Sequence, residues 1–138
     1  MYMILDSSKL LFMTGPNVIE SEEHTLFMAK ELKAIFKKFP SLQFVFKVSF
    51  DKANRTSYNS YRGLGMEKGL CILKKVKDKY NIPIITDVHE PGQCQQVANI
   101  VDIIQIPAFL YRQTDLLKAD AETQTLIHIK PRKVLNDE

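Results

Sequence analysis

Residues 44–57 read FVFKVSFDKANRTS, an apolar run that passes directly into a cluster of cationic and hydrogen-bonding side chains. The first half is almost continuously apolar, which is typical of a parallel strand covered on both faces. The cations therefore follow the end of a buried strand. Four further runs share this pattern and are predicted as strands: LLFMTGP from Leu10, IPIITDV from Ile82, DIIQIPAF from Asp102 and LIHIK from Leu126.

Helical segments are predicted between these runs. Residues 21–39 begin with a serine cap and two glutamates and end in lysines, as the helix dipole favours. Its predicted inner face consists of Leu32, Ile35, Phe36 and Phe39. A second helix is predicted over residues 65–80, and weaker ones follow Pro91 and Arg112. The alternation indicates parallel α/β units, either an open doubly wound sheet or part of a (β/α) barrel, with ligands at the carboxyl ends of the strands.

Composition predicts one ordinary globular domain over residues 1–138, with 45% hydrophobic and 25% charged residues. A net charge of +3 is too balanced to indicate a nucleic-acid partner. Residues 1–13 are interrupted by Asp6 and Lys9, so neither a signal peptide nor a membrane span is predicted. The two cysteines form no Cys-x-x-Cys pair and are expected to be reduced thiols. We therefore expect a cytoplasmic protein without a membrane partner.

The end of the strand predicted at residues 44–50 and the loop that follows it carry a set of side chains suited to an oxyanion. This set is Lys47, Ser49, Lys52, Asn54 and Arg55. Ammonium groups act as point charges on phosphate or carboxylate, and a guanidinium grips two oxygens at once. The alternative is a solvated loop whose charges have no ligand. The chain lacks the Gly-x-x-x-x-Gly-Lys-Ser/Thr pattern, which excludes a nucleotide P-loop as the explanation.

The next predicted strand ends in Asp87, with His89 two residues on. Such a pair can serve as a general base or accept a hydrogen bond from a sugar hydroxyl. The same residue types also make ordinary turns and helix caps. The three histidines, His24, His89 and His128, show no metal-ligand spacing, so no metal site is predicted.

Long motifs at the predicted strand ends resemble the 3-deoxy-D-manno-octulosonate 8-phosphate synthase family, also called 2-dehydro-3-deoxyphosphooctonate aldolases. They are GPNVIESEE (residues 15–23), FKVSFDKANRTS (46–57), YRGLGMEKGL (61–70), TDVHEPGQ (86–93) and DIIQIPAFLYRQTDLL (102–117). The resemblance implies a TIM-type (β/α) barrel, represented by about its first five strands. It also implies a transferase that condenses phosphoenolpyruvate with D-arabinose 5-phosphate and releases inorganic phosphate.

The resemblance implies roles for individual residues. Lys47, Ser49, Lys52 and Lys130 would hold phosphoenolpyruvate, Asn17, Arg55, Thr56 and Asp87 would meet the sugar phosphate, and Gln105, Pro107, Ala108 and Arg112 would line the wall and rim. Lys47, Lys52, Asn17 and Asp87 are the expected catalytic residues, with Asn54 and His89 among the substrate-binding ones. Metal-dependent members of the family carry Cys at the position of Asn17. A metal-independent, plant-like type without a cofactor is therefore expected.

Two departures from the family pattern stand out. His128 occupies a position where the family has Asn, and residues 131–138 form a divergent tail. A barrel needs about 250 residues, so we expect an N-terminal half that lacks later site residues and is inactive in isolation. The alternative is a non-catalytic remnant that binds small phosphates or associates with a full-length synthase. The expected partners are these small molecules, and a homo-oligomer or association through open barrel edges.

Overall fold

The structure, a computed structural model, describes residues 5–131, so all of the expected tail except Pro131 lies outside the described residues. Strands and helices alternate, as the sequence predicts. The elements are β1 (Leu10–Thr14), α1 (Glu22–Phe36), β2 (Leu42–Lys47), α2 (Met66–Tyr80), β3 (Ile84–Asp87), α3 (Pro91–Ala98), β4 (Ile103–Ile106), α4 (Thr114–Glu122) and β5 (Leu126–Ile129). No helix within residues 5–131 has the length and apolar character needed to cross a membrane.

The strand order decides between the two predicted architectures. The five strands are parallel and lie in the order β1-β2-β3-β4-β5. A doubly wound sheet reverses its winding direction at a switch point, whereas a barrel adds each new strand on the same side. The sheet curls as it does so. The prediction of a partial TIM-type barrel is confirmed.

Both faces of the sheet are covered near its centre. Phe46, Ile84 and Ile104 pack against the helices in the larger apolar cluster. Their neighbours Val45, Ile85 and Ile103 point the opposite way and form a second cluster, with Leu5, Leu11 and Met13 packed against it. Because successive side chains of a strand point to opposite faces, a strand buried on both faces needs apolar residues at consecutive positions. This explains the continuous apolar runs.

The predicted inner face of the first helix is wrong in part. Helix α1 ends at Phe36, and Ile35 and Phe39 are 48% and 49% exposed. The fully buried positions of the helix are Thr25 and Ala29. Pro40 disfavours helical backbone at the residue before it, so the helix stops early. Phe36 stacks on Phe44 of β2 with ring centroids 4.6 Å apart, which fixes the side of the helix that faces the sheet.

A close contact between helix α2 and the loop after β2 generates a stability prediction. A Cβ atom added at Gly69 would overlap the Cβ of Phe50, a fully buried side chain. We expect Gly69→Ala to lower the free energy of unfolding by about 1–3 kcal/mol because the core is overpacked. Gly92 in α3 has open space at the same position, so Gly92→Ala should be neutral or slightly stabilising. Urea unfolding measures both; equal effects of the two changes would contradict the packing argument.

A buried carboxyl generates a second stability prediction. Asp120 is fully buried in α4, and no donor among residues 5–131 reaches either carboxyl oxygen. Burial raises the pKa of Asp120 to about 6 from 3.8. Nearby in α3, burial and then the charge of Asp120 raise the pKa of Cys94 to about 11, so this thiol stays protonated.

Because the folded state holds this proton more tightly than the unfolded state, the contribution of Asp120 to stability is full below about pH 4. It is lost as the pH rises through about 6, at a cost of roughly 3 kcal/mol. Asp120→Asn should abolish this part of the pH dependence, measured by urea unfolding across the range. Asp78→Asn, on the exposed side of α2, should keep it. Parallel pH profiles for the wild type and Asp120→Asn would refute the assignment.

Candidate functional site

A cavity of about 490 Å³ opens at the carboxyl ends of the strands. It is lined by residues that follow β1, β2, β3, β4 and β5. The lining residues are Asn17, Lys47, Asp51, Lys52, Ala53, Asn54, Arg55, Asp87, His89, Gln105, Pro107, Ala108, Phe109, Leu110 and Lys130. All residues predicted from the sequence are therefore brought to one cavity except Ser49, Thr56 and Arg112.

Backbone contacts place the cationic side chains. Lys47 is the last residue of β2, and its carbonyl lies so close to Gly15 that any Cβ at Gly15 would overlap it. The Lys52 N–H donates to the Arg62 carbonyl at 2.7 Å, and the Lys130 N–H donates to the carbonyl that ends β4 at 3.1 Å. Three lysines from separate segments thus face the same space.

The loop after β2 is held by its own charges. Arg62 donates to both carboxylate oxygens of Asp51, at 2.8 Å and 2.5 Å. Arg55 Nε donates to the Tyr61 carbonyl at 3.0 Å, and a guanidinium has further donors that this contact leaves free. The bidentate Asp51 pair and the Lys52 backbone bond join the two ends of the loop. Lys52 is therefore fixed at the cavity by two contacts of Arg62.

Charge is concentrated in the cavity. Burial lowers the pKa of Lys52; Asp87 opposes this effect, and Lys47, Arg55 and Lys130 add to it. Like charges gathered in a partly desolvated space repel one another, and an anion placed among them relieves the repulsion. The described side chains therefore form a site that favours a phosphate or carboxylate.

A row of polar side chains crosses the sheet and extends from the cavity to His128. Gln105 Nε2 donates to Asp87 Oδ1 at 2.6 Å, and Gln105 Oε1 lies 3.1 Å from His128 Nδ1. Lys47 Nζ lies 3.6 Å from the same oxygen of Asp87. Asp87 is thus the only acidic side chain of this row. The Gln105 amide donates to its carboxylate, and the Lys47 ammonium lies near the same oxygen.

His89 and Ser49, two further residues predicted from the sequence, lie in different surroundings. Burial lowers the pKa of His89, whose ring meets Phe50 edge-on at 6.0 Å between centroids. His89 is therefore neutral at neutral pH and can accept or donate one proton. Ser49 is fully buried and does not line the cavity, and its carbonyl accepts from the Ile19 N–H at 3.0 Å. No partner within residues 5–131 reaches the Ser49 hydroxyl.

The remaining predicted residues lie outside the cavity wall. Thr56 and Arg112 are exposed on their loops. Four lining residues were not predicted: Asp51, Ala53, Phe109 and Leu110. Asp51 lies inside the motif at residues 46–57. The sequence shows opposite charges, Asp51 and Arg62, at the two ends of this loop, and this pattern could have predicted their ion pair. Within residues 5–131 no three His, Cys, Asp or Glu side chains cluster in a way that would hold a metal ion.

Comparison with known proteins agrees with the motifs. The chain is 61% identical over 118 residues to the 2-dehydro-3-deoxyphosphooctonate aldolase of Pisum sativum, covering 86% of this chain and 40% of that protein. It is 59% identical over 131 residues to 2-dehydro-3-deoxyphosphooctonate aldolase 1 of Arabidopsis thaliana, covering 94% and 45%. The aldolase of Rickettsia typhi is 55% identical over 127 residues, covering 92% and 46%.

The chain thus spans less than half the length of these relatives. Their shared name confirms the resemblance found in the motifs. The sequence profile of the DAHP synthetase I family matches residues 3–134, nearly the whole chain. With its parallel strands in barrel order and its polar strand ends around one cavity, the chain belongs to the DAHP synthetase I family.

Proposed function

We propose that the chain provides the substrate-binding strand ends of a 2-dehydro-3-deoxyphosphooctonate aldolase, an enzyme that condenses phosphoenolpyruvate with D-arabinose 5-phosphate. The observation that carries the proposal is the convergence of Lys47, Lys52 and Lys130 on one cavity. Its volume of about 490 Å³ is in the range of small-molecule sites. The relatives that bear this enzyme name are 51–61% identical to the chain.

In this proposal the three lysines hold the carboxylate and phosphate of phosphoenolpyruvate. Charge-assisted hydrogen bonds from ammonium groups to such oxygens are among the strongest polar contacts in proteins. The repulsion among the lysines, which lowers the pKa of Lys52 together with burial, is relieved when the anion is bound. Ser49 follows Lys47 by two residues and could contact the same anion, since its buried hydroxyl has no partner among the described residues.

The sugar phosphate occupies the opposite side. Arg55 and Asn54 line the cavity on the loop after β2, and Asn17 lines it after β1. Arg55 keeps guanidinium donors for a phosphate because its contact with Tyr61 uses only Nε. Asp87 accepts from a sugar hydroxyl, and Gln105, Pro107 and Ala108 line the wall nearby. Thr56 and Arg112 join the site only if their exposed loops move toward the substrates.

The proposed chemistry suits a site of fixed charges. C3 of phosphoenolpyruvate attacks the aldehyde carbon, whose oxygen takes up a proton and becomes a hydroxyl. Positive charge develops at C2, water adds there with loss of a proton, and phosphate leaves as its bond from oxygen to C2 breaks. The lysines position the two anions and stabilise the charge that shifts between them. Asp87, with an ammonium and an amide beside it, accepts a proton or a hydroxyl hydrogen bond.

The proposal also covers the location of the reaction and the assembly of the chain. We place the reaction in the cytoplasm on the grounds of its phosphorylated substrates, and treat residues 1–138 as one partial barrel domain. Within residues 5–131, the outer edges of β1 and β5 pair with no strand, and Leu10 and Leu126 on them are exposed. Unpaired, apolar strand edges favour pairing with further strands. We propose that such pairing covers these edges in solution.

The division of the cavity generates a prediction for two cations. Lys52→Ala should weaken binding of phosphoenolpyruvate, and Arg55→Ala should weaken binding of D-arabinose 5-phosphate. Each loses one charge-assisted contact of roughly 1.5–3 kcal/mol, which is about one to two decades in Kd. Isothermal titration with each ligand separately measures the effects. Lys118→Ala, on the exposed side of α4, is the control and should change neither.

The proposal has two distinct ways to fail. If both cavity variants weaken only phosphoenolpyruvate, the division of roles is wrong. The chain is expected to be inactive in isolation, so binding is the test of the proposal itself: if inorganic phosphate binds as tightly as phosphoenolpyruvate and D-arabinose 5-phosphate, the non-catalytic phosphate binder is favoured over the substrate-binding part of the enzyme.

A further inference from the structure

His128 is aligned with two site residues by the register of the sheet. Asp87 of β3 is paired with Gln105 of β4, and Gln105 is paired with His128 of β5. Paired residues in neighbouring strands point to the same face, so the three side chains form one row across the sheet. His128 therefore belongs to the same level of the barrel as the carboxylate in the cavity.

The chemistry of the row fixes the direction of its hydrogen bonds. The Asp87 carboxylate can only accept, so the Gln105 group 2.6 Å from it must be the amide NH₂. The amide oxygen then faces His128 Nδ1 at 3.1 Å, and this oxygen can also only accept. Nδ1 must therefore carry the proton, which leaves Nε2 of a neutral ring as an acceptor.

The direction of these bonds has a consequence for Lys47. Its ammonium lies 3.6 Å from Asp87 Oδ1, beyond hydrogen-bond distance, while that oxygen accepts from Gln105 at 2.6 Å. If the Gln105 amide turned over, its oxygen would face the carboxylate and the two would repel. The His128 N–H opposes this turn because it requires an oxygen on its own side.

We propose that His128 is a positioning residue of the anion site: through Gln105 it keeps Asp87 oriented away from full pairing with Lys47, so that the Lys47 ammonium remains available to a substrate phosphate or carboxylate. This inference rests on the anion site of the proposed function. His128 does not line the cavity itself and acts through Gln105.

Electrostatics support a neutral ring. The charged groups that face His128 are Lys47 from β2, Asp87 from β3 and Lys130 after β5. Burial lowers the pKa of His128; Lys47 and Lys130 lower it further, and Asp87 opposes them. An anion bound between the two lysines offsets their charge, so the pKa of His128 should rise when the site is filled. A side chain that only fills space would show no such coupling.

The first test is the tautomer of His128 in the whole chain, read from ¹⁵N chemical shifts of the ring at a pH where it is neutral. The Nδ1–H form is expected. The Nε2–H form would overturn the inference, because Nδ1 would then have no hydrogen for Gln105. The same spectra, recorded with and without saturating inorganic phosphate, should show the rise in the pKa of His128; an unchanged pKa in a chain that binds phosphate would also overturn it.

The second test measures binding of inorganic phosphate and phosphoenolpyruvate to two variants. His128→Leu removes the donor and should weaken binding about three- to tenfold, the effect of one neutral hydrogen bond. His128→Asn keeps an N–H donor and should restore most of the affinity while abolishing proton uptake on binding. Equal affinities of both variants would overturn the inference, whether both match the wild type or both are weak. If His128→Leu does not fold, the tautomer of the wild type and the phosphate affinity of His128→Asn still test the inference.

These results are separable from the proposed reaction. If the His128 variants change phosphate binding as expected but D-arabinose 5-phosphate does not bind to the wild type, the proposed function fails and the positioning role stands. If both substrates bind to the wild type and His128→Leu with the same Kd, the proposed function stands and the positioning role fails.

Discussion

Parallel pairing of successive strands is the constraint on which the rest of the molecule depends. It brings the carboxyl ends of β1 to β5 to one rim, so that side chains far apart in the sequence meet in a single cavity. The register is equally important, since it sets Asp87 beside Gln105 and Gln105 beside His128. A slip of one residue would turn each of these side chains to the helix-covered face.

The rim gathers positive charges that do not stabilise the fold. Burial and three neighbouring cations lower the pKa of Lys52, which means that the protonated form is held at a cost. The carboxylate of Asp87 offsets part of this repulsion, and Asp51 is already paired with Arg62. Natural proteins break local rules of stability mainly at functional sites. The excess of cations at this rim is therefore best explained by a ligand that supplies the missing negative charge.

The sequence predicted the elements and most of the cavity, because strands buried on both faces must be apolar at consecutive positions and polar side chains must follow at their ends. The order of the strands could not be predicted from the hydrophobic pattern, since strands and helices alternate in open sheets and in barrels alike. The family motifs favoured the barrel. The inner face of α1 was mispredicted at Ile35 and Phe39, because the helix ends at Phe36 and the stack of Phe36 on Phe44 sets which side faces the sheet. The bond between Gln105 and His128 depends on register, which no local pattern reveals. Roles of individual site residues stay predictions.

The central claim is that the strand ends form one anion site, and the most direct measurement is an NMR titration of the isotope-labelled chain with phosphoenolpyruvate. The account predicts saturable shifts, with a single Kd, at Lys47, Lys52 and Lys130 and at the Gln105 side-chain amide. These signals come from β2, the loop after it, β4 and the residue that follows β5, and all four residues line the cavity. Shifts confined to the exposed lysines of α2, or shifts that grow without saturation, would contradict it.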